Sequence, residues 1–230
     1  FLSQTKYVAD ITYNVIGYGR NISGTDFFGI HIFSLDSGNM DVTTEDVPDG
    51  TGEQFKVTGI CLRATYARRL TDRLRVGFTG KYIREDIYTT YMQSFAFDIG
   101  SNFDTGIYGF ILGMSVSNFG PDVRFRGEGL TNPDDSGFQY DTDIFPLPMM
   151  FRLGLENQII GPRENAIIKS LTHRLNFEVD GIKSVDFLVT GCIGAEYAWR
   201  EIVFARLGTH LGHDTAGLSI GFGLHYKGIQ

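Results

Sequence analysis

The stretch ATYARRLTDRLRVGFTGKYIRED, Ala64 to Asp86, consists of two alternating runs on either side of the short connector Arg69–Arg73. In the second run Leu74, Val76, Phe78, Gly80 and Tyr82 fall on one face, and Arg75, Gly77, Thr79 and Lys81 on the other. A period of two marks a β-strand, whose successive side chains point to opposite sides. The pair reads as a hairpin with one oily face and one wet, cationic face. Such a hairpin suits a soluble sandwich with its oily face in a core. It equally suits a membrane barrel with its oily face in lipid.

The same pattern recurs along the chain and predicts eleven strands: Val8–Arg20, Phe27–Leu35, Phe55–Arg68, Leu74–Ile83, Met92–Gly100, Gly109–Asn118, Met149–Asn157, His173–Asp180, Phe187–Trp199, Ile202–His210 and Gly217–Lys227. In the first, Ala9, Ile11, Tyr13 and Val15 form the apolar set against Asp10, Thr12 and Asn14. Elsewhere the apolar faces carry runs such as Ile60/Leu62/Ala64/Tyr66, Phe95/Phe97/Ile99, Phe151/Leu153/Leu155 and Ile220/Phe222/Leu224, with no charge among them. The opposite faces hold Arg63, Arg75, Lys81, Asp98, Arg152 and Glu156, with Arg174, Glu178, Asp180, Glu196, Arg206 and many Gly, Ser and Thr.

Three features favour the membrane. Many strands run to about ten residues, near the ~9–11 that cross a tilted bilayer, whereas soluble strands average ~5–6. Tyr66, Tyr82, Tyr197, Trp199 and Tyr226 gather near strand ends, as in an interfacial girdle. Connections alternate in length. Asn21–Asp26 and Arg69–Arg73 are short, while Asp36–Gln54, Arg84–Tyr91 and Phe119–Pro148 are longer; Gln158–Thr172 breaks the rule. Short turns belong to the periplasm and long loops to the outside. That makes Arg69–Arg73 a periplasmic turn and sends both the first and the last strand downward. A closed bacterial barrel has an even strand count, so at least one strand is expected before Phe1, or one has been missed.

Composition agrees. The 230 residues are 42% hydrophobic and 13% aromatic, with 19 Phe, 11 Tyr, one Trp and 29 Gly, enough for one large all-β domain spanning residues 1–230. A net charge of −7 without a basic block argues against nucleic acid as a partner. No apolar run approaches the ~20 residues of a membrane helix, which leaves a barrel open. Cys61 and Cys192 have neither zinc spacing nor a C-x-x-C motif and read as small strand residues. The sequence opens at Phe1 and is expected to lack segments at both ends.

Particular wordings also carry a family resemblance. YARRLTDRLRVGFTGKYIRED, SFAFDIGSNF, LGMSVSNFGP and LPMMFRLGLENQII resemble the PorV/PorQ family of outer-membrane proteins, and YGRNISG and GLSIGFGLHY do so more weakly. The resemblance implies an antiparallel transmembrane β-barrel of the long-chain fatty-acid transporter type, with about fourteen strands. It lacks the Gly-rich "NPAG"-like hatch with which that family usually begins. It further implies a place in the bacterial outer membrane and a role in type IX protein secretion. The partners would be secretion subunits, secreted proteins and outer-membrane lipid. A passive transporter of hydrophobic small molecules is the alternative, and a structural subunit of a larger complex is a third reading.

No acid/base dyad, Ser/His/Asp order or phosphate loop stands out, so a non-enzyme without cofactors is expected. His210-x-x-His213 with Asp214 lacks a further ligand pattern and reads as solvated loop, with no metal site. The acidic connection Phe119–Pro148 contains Phe125, Phe138, Tyr140 and Phe145, candidate anchors for a protein partner. Arg63, Arg75, Lys81, Asp98, Arg152 and Glu156 are expected to face the lumen and to satisfy one another there.

Overall fold

A computed structural model describes residues 1–127, 141–185, 187–212 and 217–225. Among them the strands are β1 (Leu2–Lys6), β2 (Thr12–Asn21), β3 (Asp26–Asp36), β4 (Met40–Asp41), β5 (Gln54–Phe55), β6 (Val57–Arg69), β7 (Leu74–Ile87), β8 (Thr90–Asp104), β9 (Phe110–Phe119), β10 (Arg126–Gly127), β11 (Met150–Gly161), β12 (Ile168–Lys169), β13 (His173–Ser184), β14 (Thr190–Trp199), β15 (Val203–Leu211) and β16 (Leu218–Leu224). One sheet takes fourteen of them, in the order β1-β2-β3-β6-β7-β8-β9-β11-β13-β14-β15-β16, with β10 beside β8 and β12 beside β11. Neighbours along this path follow one another in the chain, as in an up-and-down meander. The short strands β4 and β5 pair separately within the connection that follows β3. No described helix is long and apolar enough to cross a membrane.

All eleven predicted strands form, and the odd count is resolved by β1. Its sequence LSQTK pairs antiparallel with β2, Leu2 opposite Ile16 through Lys6 opposite Thr12. Twelve strands therefore lie on the main path, and the first runs opposite to β2, as the parity argument required. The strand read as Val8–Arg20 begins only at Thr12, because Val8–Asp10 is a turn with Ala9 and Asp10 both at φ 60°. The expected loop Arg84–Tyr91 shrinks to Tyr88–Thr89, because β7 and β8 continue toward each other almost to their ends. The long connection Gln158–Thr172 is partly strand: β11 extends to Gly161, and β12 returns beside it in parallel.

Burial settles which setting the opening hairpin occupies. Along β8 the side chains alternate: Met92, Ser94 and Ala96 are buried, whereas Phe95, Phe97 and Ile99 are 63%, 41% and 60% exposed. β6 behaves alike, with Cys61 buried between exposed Ile60 and Leu62. Polar and small residues are covered while the large apolar ones look outward. No large side chain among the described residues is fully buried. A soluble sandwich inverts this order, since its oily faces meet in a core. The face that carries the buried residues is called inner below, and the oily face outer.

Outer side chains pair across strands, which supports the register. Phe78 stacks on Phe97 with centroids 5.5 Å apart, and Tyr82 tilts against Phe95 at 5.4 Å. Between them Gly80 leaves an apolar hollow of about 500 Å3 walled by Ile30, Ile32, Leu62, Ala64 and Phe95. On the inner side Thr65 and Thr79 join hydroxyls at 2.8 Å.

The chain gathers into two compact units. The first is Phe1–Ala67 with Phe78–Asp98 and Asn118–Leu147; the second is Arg68–Gly77 with Ile99–Ser117 and Pro148–Gln230. Within the second, strands β9, β11, β13, β14, β15 and β16 pair antiparallel in unbroken succession.

A charge on the outer face near mid-bilayer destabilises a barrel by ~2–4 kcal/mol. Phe78→Arg should lower the unfolding free energy by that amount in urea titrations of vesicle-embedded protein. Unchanged stability would reverse the assignment of faces.

Candidate functional site

The inner faces of the two units are lined differently. In the first unit the residues from Phe1 to β3 bring apolar and aromatic side chains to that face, beside the polar and charged side chains of β6, β7 and β8. Tyr13 sits between Tyr7 and Phe33, with ring centroids at 5.3 and 5.5 Å, and Phe1 lies 5.6 Å from His31. Tyr13 is opposite Leu35, and Val15 opposite Phe33. The side chain of Leu35 lies beside Gly59, on the face that also carries buried Cys61. Ile16, Tyr18, Ile30 and Ile32 take the exposed outer positions instead. This corrects the sequence reading, which gave Tyr13 and Val15 to the lipid. The kink at Ala9 and Asp10 restarts the alternation, and the position of Leu35 opposite Tyr13 and beside Gly59 fixes the face.

Two predicted lumen-facing charges of the first unit pair directly. Lys81 is 6% exposed, with its Nζ 2.6 Å from Asp98 Oδ1. Arg63 is half-buried on the same face, its Nε 3.4 Å from Cys61 Sγ. Beyond them Val123 and Leu147 pack on Met92 and Ala96, beside Ile83 and Phe125. Phe125 and Phe145 stack on each other at 6.0 Å. Phe138 and Tyr140 lie outside the described residues.

The second unit is lined by charge and glycine. Glu156 bonds Arg163 at 3.0 Å. Glu196 lies between Arg174 at 2.9 Å and Arg206 at 2.5 Å, and Arg174 reaches on to Glu201 at 2.7 Å. Glu178 stands directly opposite Glu156 in register and has no ion-pair partner among the described residues. It borders two hollows of about 450 and 210 Å3, walled by Gly194, Gly208 and Gly221 on one side and by Gly113 and Gly154 on the other. A Cβ at Gly154 would meet the carboxylate of Asp180, which would have to turn aside. Arg152 contacts Met150 Sδ through its Nε at 3.2 Å, and Arg75 is exposed at the start of β7.

Cys61 and Cys192 are both free thiols. His213 and Asp214 fall outside the described residues. Among the described residues no three His, Cys, Asp or Glu side chains are placed to share a metal ion. The aromatic lining of the first unit was missed from sequence. Its one signal was that β2 and β3 are apolar on both faces, unlike the other strands.

No known family model and no curated protein matches this sequence. Among solved structures it is similar to the Pseudomonas putida toluene transporter TodX, with a TM-score of 0.54 and 11% identity, over 94% of this chain and 74% of that one. Likeness at that identity establishes the fold: an all-β antiparallel barrel of the long-chain fatty-acid transporter type.

Like charges directly opposite one another in a sheet oppose its pairing by ~0.2–1 kcal/mol. Glu178→Gln should therefore raise stability by that amount in the same urea titrations. A loss of stability would show that Glu178 has a favourable partner.

Beside the turn that joins β7 to β8, hydrogen bonds from the Arg84 guanidinium hold the Asp86 carboxyl below its ordinary value of 3.8. A carboxylate lowered on folding adds stability above its unfolded pKa and loses it as pH falls through the folded one. The protection of the amides around Tyr88, relative to the intrinsic exchange rate at each pH, should therefore fall on acidification below that ordinary value. Asp86→Asn should flatten the response, and an equally steep response in that variant would remove Asp86 as its source.

Proposed function

We propose that this chain is a non-enzymatic barrel of a bacterial outer membrane that lets small hydrophobic molecules cross passively. The observation that carries the reading is the apolar, aromatic inner face of the first unit, built from Tyr7, Tyr13, Val15, Phe33 and Leu35. The sequence reading had kept such a transporter as the alternative, with charged residues expected to face the lumen. The fold likeness to a toluene transporter supports the same choice. An apolar solute gains from such a wall by leaving water, while flat rings stack on it with little directional demand.

The protein-export reading rests on the family resemblance alone. Of its proposed anchors, Phe125 and Phe145 are turned toward each other. On the inner face of the second unit the ring of Phe204 is covered by Arg174 and Arg206.

The test is uptake by cells with an intact outer membrane, because an apolar solute crosses a plain phospholipid vesicle unaided. Expression of the chain should raise the uptake of a monocyclic aromatic hydrocarbon over that of cells without it. Phe33→Asp should reduce that gain about tenfold, the factor equivalent to ~1.4 kcal/mol. Uptake no faster than in cells without the chain would overturn the proposal.

A further inference from the structure

The connection from β9 to β11 does not leave the sheet as a free loop. At its root Lys81, whose side chain is 4% exposed, lies 2.6 Å from Asp98 Oδ1 and donates to Asn118 Oδ1 at 2.7 Å. The Asn118 N–H in turn donates to Asp98 Oδ1 at 2.8 Å. Asn118 adopts φ 60°, a left-handed turn that asparagine tolerates better than most residues. Three strands, β7, β8 and β9, are thus tied at one point.

Past this knot Gly120 runs close along β8. A Cβ there would stand 2.6 Å from the Phe95 carbonyl oxygen and 2.9 Å from Leu147 Cδ1. Val123 and Phe145 then exchange backbone hydrogen bonds of 2.8 and 2.9 Å, and Arg126 pairs with Tyr91. The outgoing residues 118–127 and the returning residues 141–147 make one arm. Its Val123 and Leu147 cover Met92 and Ala96, leaving Ala96 with 0% exposure. Polar contacts hold the arm at its base, and apolar contacts hold it along its length.

We propose that Lys81, Asp98 and Asn118 form a latch that keeps this arm against the inner face of the first unit, and that releasing the latch widens the path along that face. The inference rests on that face being the solute path. With the arm lifted, Lys81 loses the Asn118 amide and Asp98 loses a backbone donor, so the buried pair is left short of partners. With the latch intact the equilibrium lies toward the covered state. A change that weakens the base alone shifts population toward the open one.

Two variants separate the latch from folding. Asn118→Gly keeps the left-handed turn and removes the amide that accepts from Lys81. Lys81→Met combined with Asp98→Asn removes both charges together and strands neither. Each is made with Cys61→Ala, Cys192→Ala and Val123→Cys, and a heat-dependent shift on gels certifies a folded barrel. Labelling of the thiol at position 123 by a water-soluble maleimide should quicken about tenfold, equivalent to a ~1.4 kcal/mol shift in population. Ion conductance in planar bilayers should rise with it. Labelling at the parent rate, or faster labelling with unchanged conductance, would overturn the latch. The transport reading falls separately, on a parent protein that gives cells no added solute uptake.

Discussion

A sheet that turns its oily face outward must satisfy every backbone polar group from within. In hydrocarbon an unpaired N–H or C=O costs several kcal/mol, and only intact helices or closed sheets avoid that penalty. This constraint accounts for the length and regularity of the strands. β6, β7 and β8 run for 13, 14 and 15 residues. Within the second unit each neighbouring pair from β9 onward keeps a continuous antiparallel register, apart from one shift between Gln158 and Ile160. The irregular pieces, Val8–Asp10, the β4–β5 hairpin and the arm after β9, all fall at strand ends.

The same constraint explains what could be read from sequence. Where one face is strongly apolar and the other charged, as in β6, β7, β11, β13 and β15, alternation alone assigns the faces. Lys81 was placed inward by its spacing from Phe78 and Tyr82, and its burial beside Asp98 agrees with that placement. β1 escaped because LSQTK is short and polar, and only pairing with β2 makes it a strand. β2 was misassigned because both its faces are apolar. Ile16 and Tyr18 compete with Tyr13 and Val15, and the kink at Ala9–Asp10 removed the register that would have decided between them. The site was therefore least legible where the lining is apolar, because an apolar inner face imitates an outer one.

The inner faces also show how glycine and charge share work. In the second unit Gly113 pairs with Gly154, and Gly194 with Gly208, in two neighbouring rows that continue through Asp180 and through Glu178. The carboxylates and guanidinia near these glycines have room beside them. Glu196 takes two arginines, Glu156 takes Arg163, and Glu178 is left to face Glu156. The carboxyl of Asp180 occupies the space that a Cβ on Gly154 would need.

The Lys81–Asp98 pair is easily mistaken for a device of stability. Two charges withdrawn from water lose hydration that their mutual attraction repays only with good geometry and further hydrogen bonds. Here the further bonds come from Asn118, through both its side chain and its backbone. A hydrophobic pair of similar volume would pack as well at the same place, yet it would not recognise where β9 ends. The charged pair distinguishes one arrangement, with Asn118 turned left-handed at the root of the arm, from its neighbours in register. Its worth lies in selecting that arrangement, and Val123 and Leu147 then find Met92 and Ala96 already opposite them.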